Sequence, residues 1–248
     1  MQNQVIDFSL DENAFNILFL TGLTLLSFFV FWYPANSPWW RERVFGRLSF
    51  DEASSIHNFS IKVYGFIIMA PIAYLVIFLV KPDIISSAPS IFAFHDAGSV
   101  LKWTLLGSAF IIPLSIVNGK IKANRQVYPQ VRAKIWNLKI LIRYLAGWGF
   151  YLLGYEILFR GILFLLLMPY TGFWPALAIN VFLYSATHMP KGRNETLGAI
   201  PMGIIFCFIT AEVGNIWPAF IIHMLASWSN SLSALIGHPE MQLKLSER

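Results

Sequence analysis

Charge is scarce in this chain. Only 12% of its 248 residues are Asp, Glu, Lys or Arg, roughly half the share of a soluble globular domain, which excludes an ionic, water-facing surface over most of the molecule. Cysteine is nearly absent as well. The lone Cys207 excludes an internal disulfide and any cysteine-cluster metal site, and it reads as a small packing residue. There is no HExxH pair, no basic patch with interleaved base-stacking aromatics, and no repeat, low-complexity tract or soluble domain. Nothing here calls for a nucleic-acid partner.

What is present is apolar. Hydrophobic residues make up 56% of the chain and the mean hydropathy is +0.60, so the fold class is all-α, a polytopic integral membrane bundle of about seven transmembrane helices. Runs long enough to cross a bilayer fall at about 13–33, 63–80, 100–117, 146–169, 173–188, 197–212 and 216–236. The first is too long for a signal-peptide core and lacks a basic region before it, so it reads as a retained span.

Lysine and arginine fall on alternate sides of these spans. Asp7, Asp11 and Glu12 precede the first with no basic residue, whereas Arg41, Arg43 and Arg47 follow it. Lys120, Lys122, Arg125, Arg132, Lys134 and Lys139 follow the third, Lys191 and Arg193 the fifth, and Lys244 and Arg248 the last. The asymmetry predicts an outside N-terminus and a cytoplasmic C-terminus; the expected setting is the plasma membrane of a prokaryote. The net charge of +5 then reflects topology and attraction to anionic membrane lipids.

Three parts are expected. Residues 1–145 hold three peripheral spans, with Gly65, Pro71, Gly107 and Pro113 at packing or kink positions, and a basic amphipathic segment from about Lys120 to Arg143. That segment is expected to rest on the cytoplasmic surface, with Trp136 at the interface. Residues 146–236 form a core of four spans, and 237–248 a cytoplasmic tail.

Nearly all the chemistry lies in the core. GYEILFRG (154–161) puts Glu156 and Arg160 four apart on one helix face, where they can pair. FLYSATH ends on His188, and GNIWPAFIIHMLAS carries His223 inside the last span after a tight turn and a helix-starting proline. Alone, the Glu156–Arg160 pair reads equally well as an ion pair ordering the bundle, and either histidine as a packing residue. Four ionisable side chains on three helices of an apolar bundle exceed what packing demands.

In order and spacing these stretches resemble the CAAX protease and bacteriocin-processing family of intramembrane endopeptidases, which includes the type II CAAX prenyl endopeptidases. The likeness covers about 146–236. It rests on a glutamate-glutamate-x-x-x-arginine motif, a phenylalanine-x-x-x-histidine motif and a histidine-x-x-x-asparagine motif. Three positions depart from the pattern: Tyr155 replaces the first glutamate, Tyr184 the phenylalanine and Ser227 the asparagine. The resemblance implies hydrolysis of a peptide bond in a membrane-associated peptide or protein. Glu156, His188, His223, Arg160, Ser227 and Tyr155 are the candidate site residues.

In the family's mechanism the first glutamate and the histidine of the second motif activate water, and the third motif steadies the oxyanion. With Tyr155 in the glutamate's place, two arrangements keep the chemistry. A rotation or kink near Gly154 brings Glu156 to the water, or His188 is the base with Tyr155 as a donor. Ser227 offers a hydroxyl in place of the amide. The rival reading is a non-catalytic member that binds a peptide, lipid or partner protein as an immunity or accessory factor; a transporter is a distant third. No cofactor is implied with certainty. Glu156, His188 and His223 are acceptable zinc ligands, although Arg160 competes for the glutamate. By helix rise Glu156 is expected at mid-membrane, His188 near the cytoplasmic face and His223 nearer the outer face.

Overall fold

The computed structural model describes residues 10–46, 48–87, 90–94 and 96–245. Asp7, Arg47 and Arg248, which enter the charge pattern, lie outside the described residues. The chain runs through α1 (Glu12–Ala35), α2 (Pro38–Phe45), α3 (Phe50–Ile67), a π-helical turn (Ile68–Ile72), α4 (Ala73–Val80), α5 (Pro82–Ser87), α6 (Ala97–Gly119) and α7 (Lys122–Val127). It continues through β1 (Ile135–Trp136), α8 (Leu138–Glu156), a second π-helical stretch (Ile157–Leu165), α9 (Met168–Thr171), α10 (Phe173–Ala186), α11 (Arg193–Val213), α12 (Trp217–Ile236) and β2 (Gln242–Leu243). The fold is all-α, a polytopic helical bundle, with one short parallel pairing of β1 on β2.

Six helical runs among the described residues are long and apolar enough to cross a membrane. One of them is the hub. The run Leu138–Thr171 has 83% of its most apolar window buried, against 11–39% in the other five, so α8 and the π-helical stretch form the centre that the rest surround. α3 packs along α8, α6 along α12, and α10 along α11. Close approach of α3 to α8 depends on Gly154, because a Cβ there would lie 2.8 Å from the Phe66 Cα.

Several boundaries differ from the sequence expectation. The second run starts at Phe50, not near 63, because charged groups in its first turns have partners. Asp51 accepts the Lys134 and Ile135 amides at 3.0 and 3.1 Å, and Lys62 sits 3.2 Å from the Trp148 ring centroid, a cation–π contact that offsets part of its burial. The fifth expected span is α10, only 14 residues or about 21 Å long, too short to cross a bilayer unaided.

The basic segment does not lie as an amphipathic helix along a surface. Only Lys122–Val127 is helical before α8; Val131, Ala133 and Trp136 are fully buried, and α8 already begins at Leu138. Trp136 packs edge-on to Tyr144 and donates to the Ala133 carbonyl at 3.0 Å. These apolar residues find protein to pack against, so the segment folds into a cap over one end of the bundle. Lys139 and Arg143 pair with Glu52 at 3.0 and 2.6 Å there.

At the opposite end Lys81 bridges Glu12 and Asp83 at 3.0 and 3.1 Å, and these hydrogen bonds, that to Glu12 first, hold its ammonium above its ordinary pKa. The GNIWP stretch makes its turn there. Gly214 takes φ +70° at the end of α11, a left-handed conformation suited to glycine, and the Asn215 side chain accepts the Trp217 amide at 3.1 Å.

Two outcomes follow. Cysteines introduced at Asp11 and Asp83 should label from one side of the membrane and one at Lys122 from the other; equal access to Asp11 and Lys122 would contradict this packing. Gly154→Ala should destabilise the protein by about 1–3 kcal/mol through overpacking, read as a lower unfolding temperature in detergent.

Candidate active site

The hub helix carries the site. Beyond Glu156 its hydrogen bonding changes to the π pattern for nine residues, Ile157–Leu165. Such stretches are rare and often mark functional positions. Within this stretch the Phe159 oxygen also accepts from a neighbouring helix: Asn180 of α10 donates to it at 2.5 Å. Cys207 of α11 in turn donates to the Asn180 Oδ1 at 3.2 Å, so this cysteine is a small buried packing residue with one polar contact.

The hairpin through α9 brings α10 back along the hub, setting Asn180 against Phe159 and Tyr184 against Tyr155, whose rings are 5.6 Å apart. One turn on, Tyr155 and Thr187 share a 2.6 Å hydrogen bond. The Thr187 hydroxyl donates to the Tyr184 carbonyl at 2.7 Å, so its single proton is spent and the phenol must be the donor. His188 is fixed in the same way. Its Nδ1 is 2.9 Å from the Tyr184 carbonyl, which only accepts, so Nδ1 carries the proton and the neutral ring keeps its lone pair on Nε2.

His223 meets the hub from α12. Its Nδ1 lies 2.6 Å from Glu156 Oε1, while Arg160 Nε lies 3.3 Å from Oε2 of the same carboxylate. Glu156 and Arg160 have no solvent exposure, and the guanidinium stacks 4.0 Å over the Tyr184 ring. Burying such a pair is costly, and removing one partner strands the other.

The depths expected from helix rise are therefore corrected. His223 reaches Glu156 because α12 starts beneath a lid of chain: Ile216 donates to the Ile91 carbonyl at 3.2 Å, and both side chains are fully buried. The Tyr155 ring stands 6.3 Å from that of His188 and 6.0 Å from that of His223. A cavity of about 610 Å³ is lined by Tyr155, Tyr184, His188, His223 and Ser227. Glu156 and Arg160 do not line it but stand behind its wall, so the rotation that would carry Glu156 to a bound water is not seen. Among the described residues no three His, Cys, Asp or Glu side chains group as metal ligands; Glu156 is engaged by His223 and Arg160 instead.

Sequence reasoning missed Asn180 and Thr187. Asn180 was within reach, as an amide inside the apolar run FWPALAINVFLYS. Thr187 had no signal beyond its place beside His188.

A family model described as Type II CAAX prenyl endopeptidase Rce1-like matches residues 137–229. Over this segment the chain is similar to the CAAX protease family. The segment begins at the Asn137 cap of α8, whose side chain accepts the Ile140 amide at 2.9 Å, and it contains all six candidate residues. No curated protein and no solved structure matches the chain.

Asn180→Leu should cost about 1–3 kcal/mol by removing the buried amide that bonds the Phe159 carbonyl and the Cys207 thiol. Glu156→Gln should cost more, about 3–5 kcal/mol, because it leaves Arg160 without a countercharge. Thermal unfolding of the purified variants in one detergent ranks the two, and a Glu156→Gln protein as stable as the parent would contradict the ion-pair assignment.

Proposed function

We propose that the protein is an intramembrane endopeptidase acting on a membrane-associated peptide or protein, with His188 as the base that activates water. One observation carries this: the Nδ1–H of His188 is committed to a main-chain carbonyl, leaving Nε2 as the acceptor in a cavity shared with His223 and Ser227. The similarity of residues 137–229 to a family of CAAX prenyl endopeptidases supports the reaction class.

The steps balance without further reagents. His188 Nε2 takes a proton from water as its oxygen bonds to the peptide carbonyl carbon. The oxyanion accepts from the Ser227 hydroxyl and from His223 carrying a proton on Nε2. His223 and Ser227 are four apart on α12, so both address one side of the cavity. Collapse breaks the carbon–nitrogen bond as the His188 imidazolium returns its proton to the leaving amine. Glu156 orients His223 through Nδ1, and Arg160 orients Glu156. Tyr155 steadies the Thr187–His188 turn by donating its hydroxyl. The basic end of the bundle, with Lys122, Lys134 and Lys244, faces the cytoplasm.

The binding reading has one observation in its favour, since Tyr155 fills the family's carboxylate position and its proton is already given to Thr187. Purified protein in nanodiscs, incubated with a membrane-peptide library and read by mass spectrometry, separates the two. Wild type should cleave, His188→Ala should lose cleavage while keeping its unfolding temperature, and Ser227→Ala should slow it by about 10²-fold. Tyr155→Glu should accelerate it. An inert Tyr155→Glu protein, alongside a wild type whose peptide binding is unmoved by His188→Ala, would replace the enzyme reading with the binding one.

A further inference from the structure

Three asparagines from three helices meet at one edge of the same cavity. Asn118 ends α6, Asn124 lies in α7 and Asn230 in α12, and all three line the cavity. Asn118 Nδ2 and Asn124 Nδ2 both donate to Asn230 Oδ1 at 3.1 Å, and Asn118 Nδ2 also reaches Asn124 Oδ1 at 3.2 Å. None of the three falls within residues 137–229, the family match.

The wiring leaves a particular remainder. Asn230 is 9% exposed, and its Oδ1 is filled by two donors, yet among the described residues its Nδ2 has no partner. Asn118 uses its Nδ2 twice, and its Oδ1 accepts from no described residue. A neutral amide donor, sharpened by the bonds its own oxygen accepts, thus stands near a neutral amide acceptor. A polypeptide main chain offers the complementary pair, C=O and N–H. A phosphate or carboxylate would leave the Asn118 acceptor unmatched.

Position fixes the register. His223, Ser227 and Asn230 stand at i, i+4 and i+7 on one face of α12, which puts Asn230 about 10.5 Å along the helix from His223. An extended peptide advances about 3.4 Å per residue. We infer that Asn118 and Asn230 form an amide clamp on the substrate main chain about three residues from the bond that is cut, so the ligand class is an extended, locally uncharged peptide segment. This deepens the endopeptidase reading and rests on it for the position of the scissile bond.

The test measures binding, so it does not depend on cleavage. The probe is a palmitoylated, dye-labelled octapeptide of alanine and serine, titrated by fluorescence anisotropy into His188→Ala protein in nanodiscs, with each peptide bond N-methylated in turn. One position should lose affinity by about fivefold on methylation, the scale of one hydrogen bond, and that loss should vanish in Asn118→Ala and in Asn230→Leu. Asn118 is exposed, so its variant tests the clamp even if Asn230→Leu perturbs the fold. A methylation profile unchanged in Asn118→Ala, or no binding of the octapeptide, overturns the clamp. A clamp that behaves as expected in a protein whose wild type cleaves nothing would sink the endopeptidase reading alone.

Discussion

The carboxylate of Glu156 has no contact with solvent, and an ionised carboxylate in that position persists only where donors surround it. Its two oxygens divide the work. One takes the Nδ1 proton of His223, 67 residues later in the chain, and the other faces Arg160 one turn along the same helix. The histidine is thereby fixed against the hub from α12, while the guanidinium is kept over the Tyr184 ring of α10. One buried charge thus sets the relation of three helices, and these form one wall of a cavity that α6, α7 and α11 complete.

The π-helical stretch and the short α10 belong to the same constraint. Asn180 of α10 donates to the Phe159 oxygen inside the π-helical stretch that follows Glu156. That bond locks α10 in register against the hub, and the register decides that Thr187 and His188 arrive beside Tyr155. Both histidines give Nδ1 to an acceptor of the protein, so both present Nε2 as the nitrogen left for other chemistry. Two rings each anchored through Nδ1, held by different helices, make a preorganised polar site in an otherwise apolar bundle.

Much of this could be read from residues alone. Apolar runs gave the bundle, and the spacing of Glu156 with Arg160 gave their pairing, because helix periodicity is a local property. The runs containing His188 and His223 gave the family resemblance through order and spacing. What failed was depth and boundary. Counting rise per residue assumes that each helix starts at the membrane surface, yet α12 begins beneath Ile91, and α3 extends back through Glu52 and Lys62 because partners distant in sequence accept their charge. The burial of Trp136 was hidden for the same reason: a tryptophan after a basic segment looks interfacial until a tertiary surface claims it. Asn230 was silent because its partners, Asn118 and Asn124, come from helices more than 100 residues away.

The substitution of Tyr155 for a carboxylate carries the remaining argument. Had a glutamate stood there, a second negative charge would lie one residue from Glu156 and face the Thr187–His188 turn, ready to share the proton that water gives up. A phenol instead donates, and Thr187 can accept only because its own proton goes to the Tyr184 carbonyl. The direction of hydrogen bonding through this turn is therefore set from Tyr155 to Thr187 to Tyr184. His188 shares the same carbonyl, which fixes its tautomer with no carboxylate behind it. A histidine held by a neutral carbonyl stabilises its imidazolium less than one held by an anion, so any proton it accepts is returned readily. In this chain the first carboxylate is absent, and the one that remains, Glu156, accepts from the other histidine, His223, so the two rings differ in what stands behind them: a neutral carbonyl for His188 and a buried carboxylate for His223.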